Sequence, residues 1–154
     1  MKALLAGTVM LVFACMASPS RANLGDTLAK CEARYGPALP GKDTPDPSGV
    51  GDVILCFQSR GYNVRMILVH GYVGGEAFAK TDGSPLADAE IKMLLNNEAN
   101  GWAWARSTGT VGDNWLRTDG AVATYAPQFR SLVIETGPYV NAVNASQARH
   151  SQGK

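Results

Sequence analysis

The sequence predicts an α+β fold, a two-layer sandwich with two helices on one face of an antiparallel sheet of six to seven strands, in the order αβββαβββ. Three observations predict it. Two segments carry apolar residues at helical spacing: Leu24, Leu28, Cys31 and Tyr35, then Ile91, Leu94 and Leu95. The strand-forming segments are punctuated by the two-residue turns Arg60-Gly61, His70-Gly71 and Asp119-Gly120, and strands joined so tightly run antiparallel. Two helices can cover only one face of such a sheet.

The elements follow in order. Residues 1–22 read as an export signal. Lys2 supplies the positive start, Ala3 to Ala17 an uncharged apolar run, and Ser18-Pro19-Ser20-Arg21-Ala22 a breaker with small residues before a cut after Ala22. The run is too short and too poorly flanked for a transmembrane span. The mature chain is then expected to begin at Asn23, in the periplasm or outside the cell. A competing reading takes Val12-Phe13-Ala14-Cys15 as a lipobox, with Cys15 bearing lipid, although Phe13 fits that motif poorly.

The first helix starts near Asp26 or Thr27 and ends at Gly36-Pro37. Residues 37–52, rich in Pro, Gly and Asp, form an irregular loop. Val53 to Ser59 is the first strand. In the second, Tyr62, Val64, Met66 and Leu68 alternate with Asn63 and Arg65, while Ile67 and Val69 suggest cover on both faces at its far end. Tyr72 to Lys80 is the third, and Gly74-Gly75 marks a bulge or a close backbone approach. The second helix opens at Ser84-Pro85 or at Asp88 and closes at Asn100-Gly101. Trp102 to Arg106, Trp115 to Thr118, Ala121 to Tyr125 and Leu132 to Thr136 are the remaining strands, with Gly109 to Asp113 a loop. Residues 23–140 make one domain. Residues 141–154, polar and poor in bulky apolar side chains, read as a disordered tail.

Composition excludes some partners. The chain has 14 Lys and Arg against 13 Asp and Glu. The leader holds two of the bases, Lys2 and Arg21, so the mature chain is close to neutral and lacks the basic field that nucleic acid requires. Of the three cysteines, Cys31 and Cys56 remain after cleavage. In an oxidising space they are expected to form a disulfide, closing a loop of about 25 residues and worth on the order of 3 kcal/mol.

Gly25-Asp26-Thr27, a short helix and Tyr35-Gly36-Pro37 together resemble the opening helix of the SmpA/OmlA-type outer-membrane assembly lipoproteins. Those share a unit of helix followed by antiparallel sheet with the β-lactamase-inhibitor-protein repeats. The resemblance covers about a dozen residues plus element order. It implies a binding scaffold rather than an enzyme, and carries no site residue with it.

No compact catalytic signature is present. There is no nucleophile elbow, phosphate-binding glycine loop, dinucleotide fingerprint or metalloprotease helix, and no cofactor is implied. His70 precedes Gly71 in a tight turn, where His tolerates positive φ. The aspartates of 43–52 and 113–119 lack calcium-loop spacing and read as turn formers, so no metal site is expected. Glu76 and Glu135 lie in strands and are the carboxylates expected to share a sheet surface. Trp102 and Trp104, with Arg106, are expected on one side of a strand, and Trp115 with Arg117 on the next. Core packing is the expected role of the indoles. The alternative is a ligand-facing platform of Trp102, Trp104, Arg106, Trp115 and Arg117 for a carbohydrate or peptide. The expected function is an exported, non-catalytic binding or interaction module, with another envelope or secreted protein as a further candidate partner. The alternatives are a small secreted hydrolase and an enzyme inhibitor.

Overall fold

The computed structural model describes residues 24–107 and 112–152. The export signal, Cys15 and residues 109–111 of the expected loop lie outside them. The chain forms α1 (Leu28–Tyr35), β1 (Val53–Ser59), β2 (Tyr62–Val69), β3 (Tyr72–Lys80), α2 (Asp88–Asn97), β4 (Trp104–Ser107), β5 (Asp113–Arg117), β6 (Val122–Ala126), β7 (Ser131–Glu135) and α3 (Gly137–Gln152). The seven strands make one antiparallel sheet in the order β1-β2-β3-β7-β6-β5-β4. The chain leaves the sheet's centre at β3, passes through α2 to the far edge at β4, and meanders back to pair β7 with β3.

The turns behave as their residues dictate. Arg60 and His70 adopt φ of 49° and 52°, followed by Gly61 and Gly71 at 84° and 81°, the double positive φ of tight hairpins. Gly74 is the extra residue at the β2–β3 register shift, where Ile67 faces Gly75 and Leu68 faces Val73. A Cβ there would meet Val69 Cγ2 at 2.6 Å, so the bulge needs glycine.

Strand alternation sorts the side chains onto two faces. On the α1–α2 face, Phe57, Val64, Phe78, Leu132 and Tyr125 form one cross-strand row, and Leu55, Met66, Glu76, Ile134 and Ala123 the next. Leu24 packs down from the turn before α1, Cys31 from α1 itself, and Ile91, Leu94 and Leu95 from α2. Burying side chains of this size stabilises by roughly 1.5–3 kcal/mol each. The opposite face is covered at one end by residues 44–51 and by the first turn of α3. There Asp46 accepts hydrogen bonds from the Gly51 N–H at 2.7 Å and the Tyr139 hydroxyl at 3.0 Å.

Three expectations are corrected. Residues 141–152 are helical rather than part of a disordered tail, because they continue α3; residues 153 and 154 of the expected tail lie outside the described residues. Val140 N–H donates to the Thr136 carbonyl at 3.0 Å, Pro138 occupies the first turn, and Tyr139 is buried. Beyond that turn α3 presents small and polar side chains, so it has no apolar stripe to betray it. Among the described residues the order is therefore αβββαββββα, with three helices rather than two and four strands rather than three after α2. Cys31 and Cys56 are both free thiols. Cys56 alternates with Leu55 and Phe57, so it points away from the α1 side, and its Sγ donates to the Lys42 carbonyl at 3.4 Å. Cys31 lies in the core on the other face, and a disulfide requires both side chains to meet. Glu76 and Glu135 also lie on opposite faces: Glu76 pairs with Ile134, whereas Glu135 pairs with Gly75, one residue out of phase.

Candidate functional site

Glu76 occupies the middle of the sheet's core face, between Met66 and Ile134, and is 1% exposed. Glu98, at the end of α2, is fully buried on the same side. Each has one partner from the end of α1. Tyr35 donates its hydroxyl to Glu76 Oε2 at 3.2 Å, and Arg34 Nη1 donates to Glu98 Oε1 at 3.0 Å. The other oxygen of each, Glu76 Oε1 and Glu98 Oε2, has no hydrogen-bond partner among the described residues.

Two buried carboxylates with so few donors resist ionisation. Burial pushes Glu76 well above the usual carboxylate range, Glu98 adds to the push, and Arg34 and Tyr35 only partly oppose it. Burial raises Glu98 to about 7 despite Arg34, the Leu24 N–H and Arg117. The same surroundings push the Cys31 thiol up to about 12, through burial and then the charges of Glu76 and Asp26, so it is no nucleophile at neutral pH. Tyr35 is raised too, by burial and then the two glutamates.

Arg34 and Tyr35 also line a pocket of about 270 Å³ between α1 and α2. Its floor is Val64, Phe78 and Leu94. Tyr62 and Met93 stand at its sides, Met93 43% exposed, and Arg60 projects from the β1–β2 turn. The lining holds two arginines and no carboxylate. Behind the lining, Glu98 and Glu76 are bonded to Arg34 and Tyr35, and Glu90 accepts from the Tyr62 hydroxyl at 3.3 Å and pairs with Lys80 at 3.3 Å. A larger cleft, of about 480 Å³, opens at the end of the sheet between the β2–β3 hairpin, the β5–β6 hairpin and α3. Tyr72, Tyr139, Arg117 and Asp119 lie on its walls.

The expected ligand platform is brought together in part. Trp104 pairs across strands with Arg117, and Arg106 with Trp115. Trp104 faces α2, donating its indole N–H to the Leu95 carbonyl at 2.8 Å, with the Arg117 guanidinium 5.0 Å from its ring centroid. Arg117 is buried and grips both Asp119 oxygens, at 2.9 and 2.6 Å, while donating to the Glu98 carbonyl. Arg106 is an exposed partner of Asp113. Trp115 packs at the edge of the core. Trp102 precedes β4 and is half exposed. Trp104 and Arg117 thus close the core.

Sequence reasoning missed Arg34, Tyr35 and Glu98 as a group. The signal was phase. Glu98 continues the stripe of Ile91, Leu94 and Leu95, and Glu76 lies two residues from Phe78 in one strand. A charge at an apolar position is the informative one.

Among the described residues no cluster of three or more His, Cys, Asp or Glu could hold a metal ion, and no helix is long and apolar enough to cross a membrane. Set against known protein families, curated proteins and solved structures, the chain matches none.

Proposed function

We propose that this chain is an exported, non-catalytic binding module that takes a small ligand between α1 and α2. One observation carries the reading. The inter-helix pocket has an apolar floor, two tyrosines in its walls, the exposed Arg60 at its edge and Arg34, paired with Glu98, in its lining, the composition of a ligand site rather than of a packing defect. A carbohydrate platform on the tryptophans has less support, since Trp104 and Arg117 are engaged with each other and with α2. Export rests on the Lys2 to Ala22 pattern. Intact-mass measurement of protein from its native host is expected to give a chain starting at Asn23; a lipidated Cys15 would place the module on a membrane surface instead.

The test is a thermal-shift screen of small molecules. Hits are expected to stabilise the wild type and to fail on Met93→Glu, which puts an acid at the pocket mouth. Hits lost on Tyr72→Ala and retained on Met93→Glu would move the site to the cleft at the sheet's end.

A second reading, a small hydrolase, is favoured by the Glu76–Glu98 pair, because reluctant buried carboxylates serve as general acids. Its substrate would have to reach groups that α1 and α2 cover. A hydrolytic activity abolished by Glu76→Gln with the fold intact would favour it over binding.

A further inference from the structure

The two residues that hold the buried carboxylates are the two that α1 contributes to the inter-helix pocket. Arg34 reaches Glu98 and Tyr35 reaches Glu76, and both border the pocket. A ligand there touches the supports of the pair without touching the pair. Its charge is constrained by the lining, which holds the exposed Arg60, the Glu98-paired Arg34 and no carboxylate. Arg60 is exposed and has no ion-pair partner among the described residues. The body of the ligand is constrained by Val64, Phe78 and Leu94. Resting on the binding-module reading, we propose that the pocket takes a small monocarboxylate with an apolar body, and that its binding draws a proton from solvent onto the Glu76–Glu98 pair.

The coupling follows from charge and from hydrogen-bond supply. A guanidinium has five N–H donors in a fixed fork. An anion beside Arg34 shares the cation that Glu98 depends on and adds negative charge near two carboxylates. The groups that face the pair are Arg34, Tyr35, Cys31 and Asp26 from the α1 segment, Arg117 with its partner Asp119 from the β5–β6 hairpin, and the Leu24 N–H. Arg117 is already engaged, with its Nε and Nη2 donating to Asp119 and its Nη1 to the Glu98 carbonyl rather than to the carboxylate. A proton taken up by one carboxylate of the pair cancels the negative charge that the anion adds beside it. Linkage then requires the converse, that acid strengthens anion binding.

Isothermal titration calorimetry with octanoate, octanol and octylammonium tests both parts. Octanoate is expected to bind most tightly, and about fivefold more tightly at pH 6 than at pH 8. Repeating the octanoate titration at pH 7 in buffers of different ionisation enthalpy is expected to show net proton uptake. Arg60→Asn, which suits the positive φ at that position, is expected to weaken octanoate while leaving octanol unchanged. Glu98→Gln is expected to remove the proton uptake. Octanol binding as well as octanoate would overturn the anion preference but leave a binding module. Octanoate binding without proton uptake would overturn the coupling. Failure of all three probes would overturn the site itself.

Discussion

Asp46, on the α3 side of the sheet, and Glu76 and Glu98, on the α1–α2 side, are all withdrawn from water, yet they titrate in opposite directions. Burial opposes ionisation of each. At Asp46 that push is outweighed by donors: the Ser48 N–H and hydroxyl, the Gly51 N–H and the Tyr139 hydroxyl hold the carboxyl below its usual value. At Glu76 and Glu98 the donors are too few for two carboxylates, and both are raised. Burial alone does not decide the charge of a carboxylate. Depth of burial and the number of N–H and O–H groups within reach decide it together. Asp46 is tied into a loop rich in backbone donors, whereas Glu76 projects from a strand whose own N–H groups are used in the sheet.

The largest effect that would sharpen this contrast is loss of Asp46. Asp46→Ala strands three or four donors and is expected to cost about 3 kcal/mol in chemical denaturation. A cost below about 1 kcal/mol would remove the distinction. The matching change on the other face has the opposite sign. Glu76→Met fills a row already occupied by Met66 and Ile134 and is expected to stabilise by about 1–2 kcal/mol at pH 8, the behaviour of poorly compensated buried charge replaced by apolar side chains.

The pH dependence separates the two faces again. A carboxylate raised in the folded state contributes stability that is fully present below its unfolded value, 4.5 for Glu98, and is lost as the pH rises through its folded value of about 7. Glu76 and Glu135 are raised too and act in the same direction. Asp46 is lowered, so its contribution is present above its unfolded value of 3.8 and is lost as the pH falls through its folded one. Stability is therefore expected to peak near about pH 5 and to decline towards pH 8. Melting curves that rise steadily from pH 5 to pH 8 would contradict this. In Glu76→Met the decline is expected to be shallower.

Smaller effects follow. Tyr139→Phe removes one donor from Asp46 and is expected to cost about 1 kcal/mol. Thiol titration of the mature native protein is expected to show Cys56 reacting first and Cys31 only on unfolding, with negligible change in stability for Cys56→Ser. Absence of free thiol would restore the disulfide and overturn the strand phase of Cys56.

Local pattern reached far into this fold. Alternation located β2, strand-forming composition and the flanking turns located β1 and β3, and the face of Leu28, Cys31 and Tyr35 is the face of α1 that packs, with Leu24 joining the same core from the turn before the helix. Glycine after a turn-forming residue located the hairpins, since positive φ is a local requirement. α3 escaped because a helix anchored by one buried tyrosine needs no apolar stripe. The pairing of Cys31 with Cys56 was inferred from compartment and count, which carry no information about faces. The site was legible only as residues out of place, Glu76 beside Phe78 and Glu98 at the end of an apolar stripe.

The sequence by itself determined the class of elements, the order of the first five and the turns that join β1 to β2, β2 to β3 and β5 to β6, because backbone preference and apolar period act within a few residues. Only the tertiary structure decided that α1 delivers Arg34 and Tyr35 to two carboxylates from β3 and the end of α2. That meeting joins residues as many as 64 positions apart, Arg34 with Glu98. It depends on the crossing of α2 from the centre of the sheet to its far edge, and no local pattern encodes which distant charges a shared core will bring together.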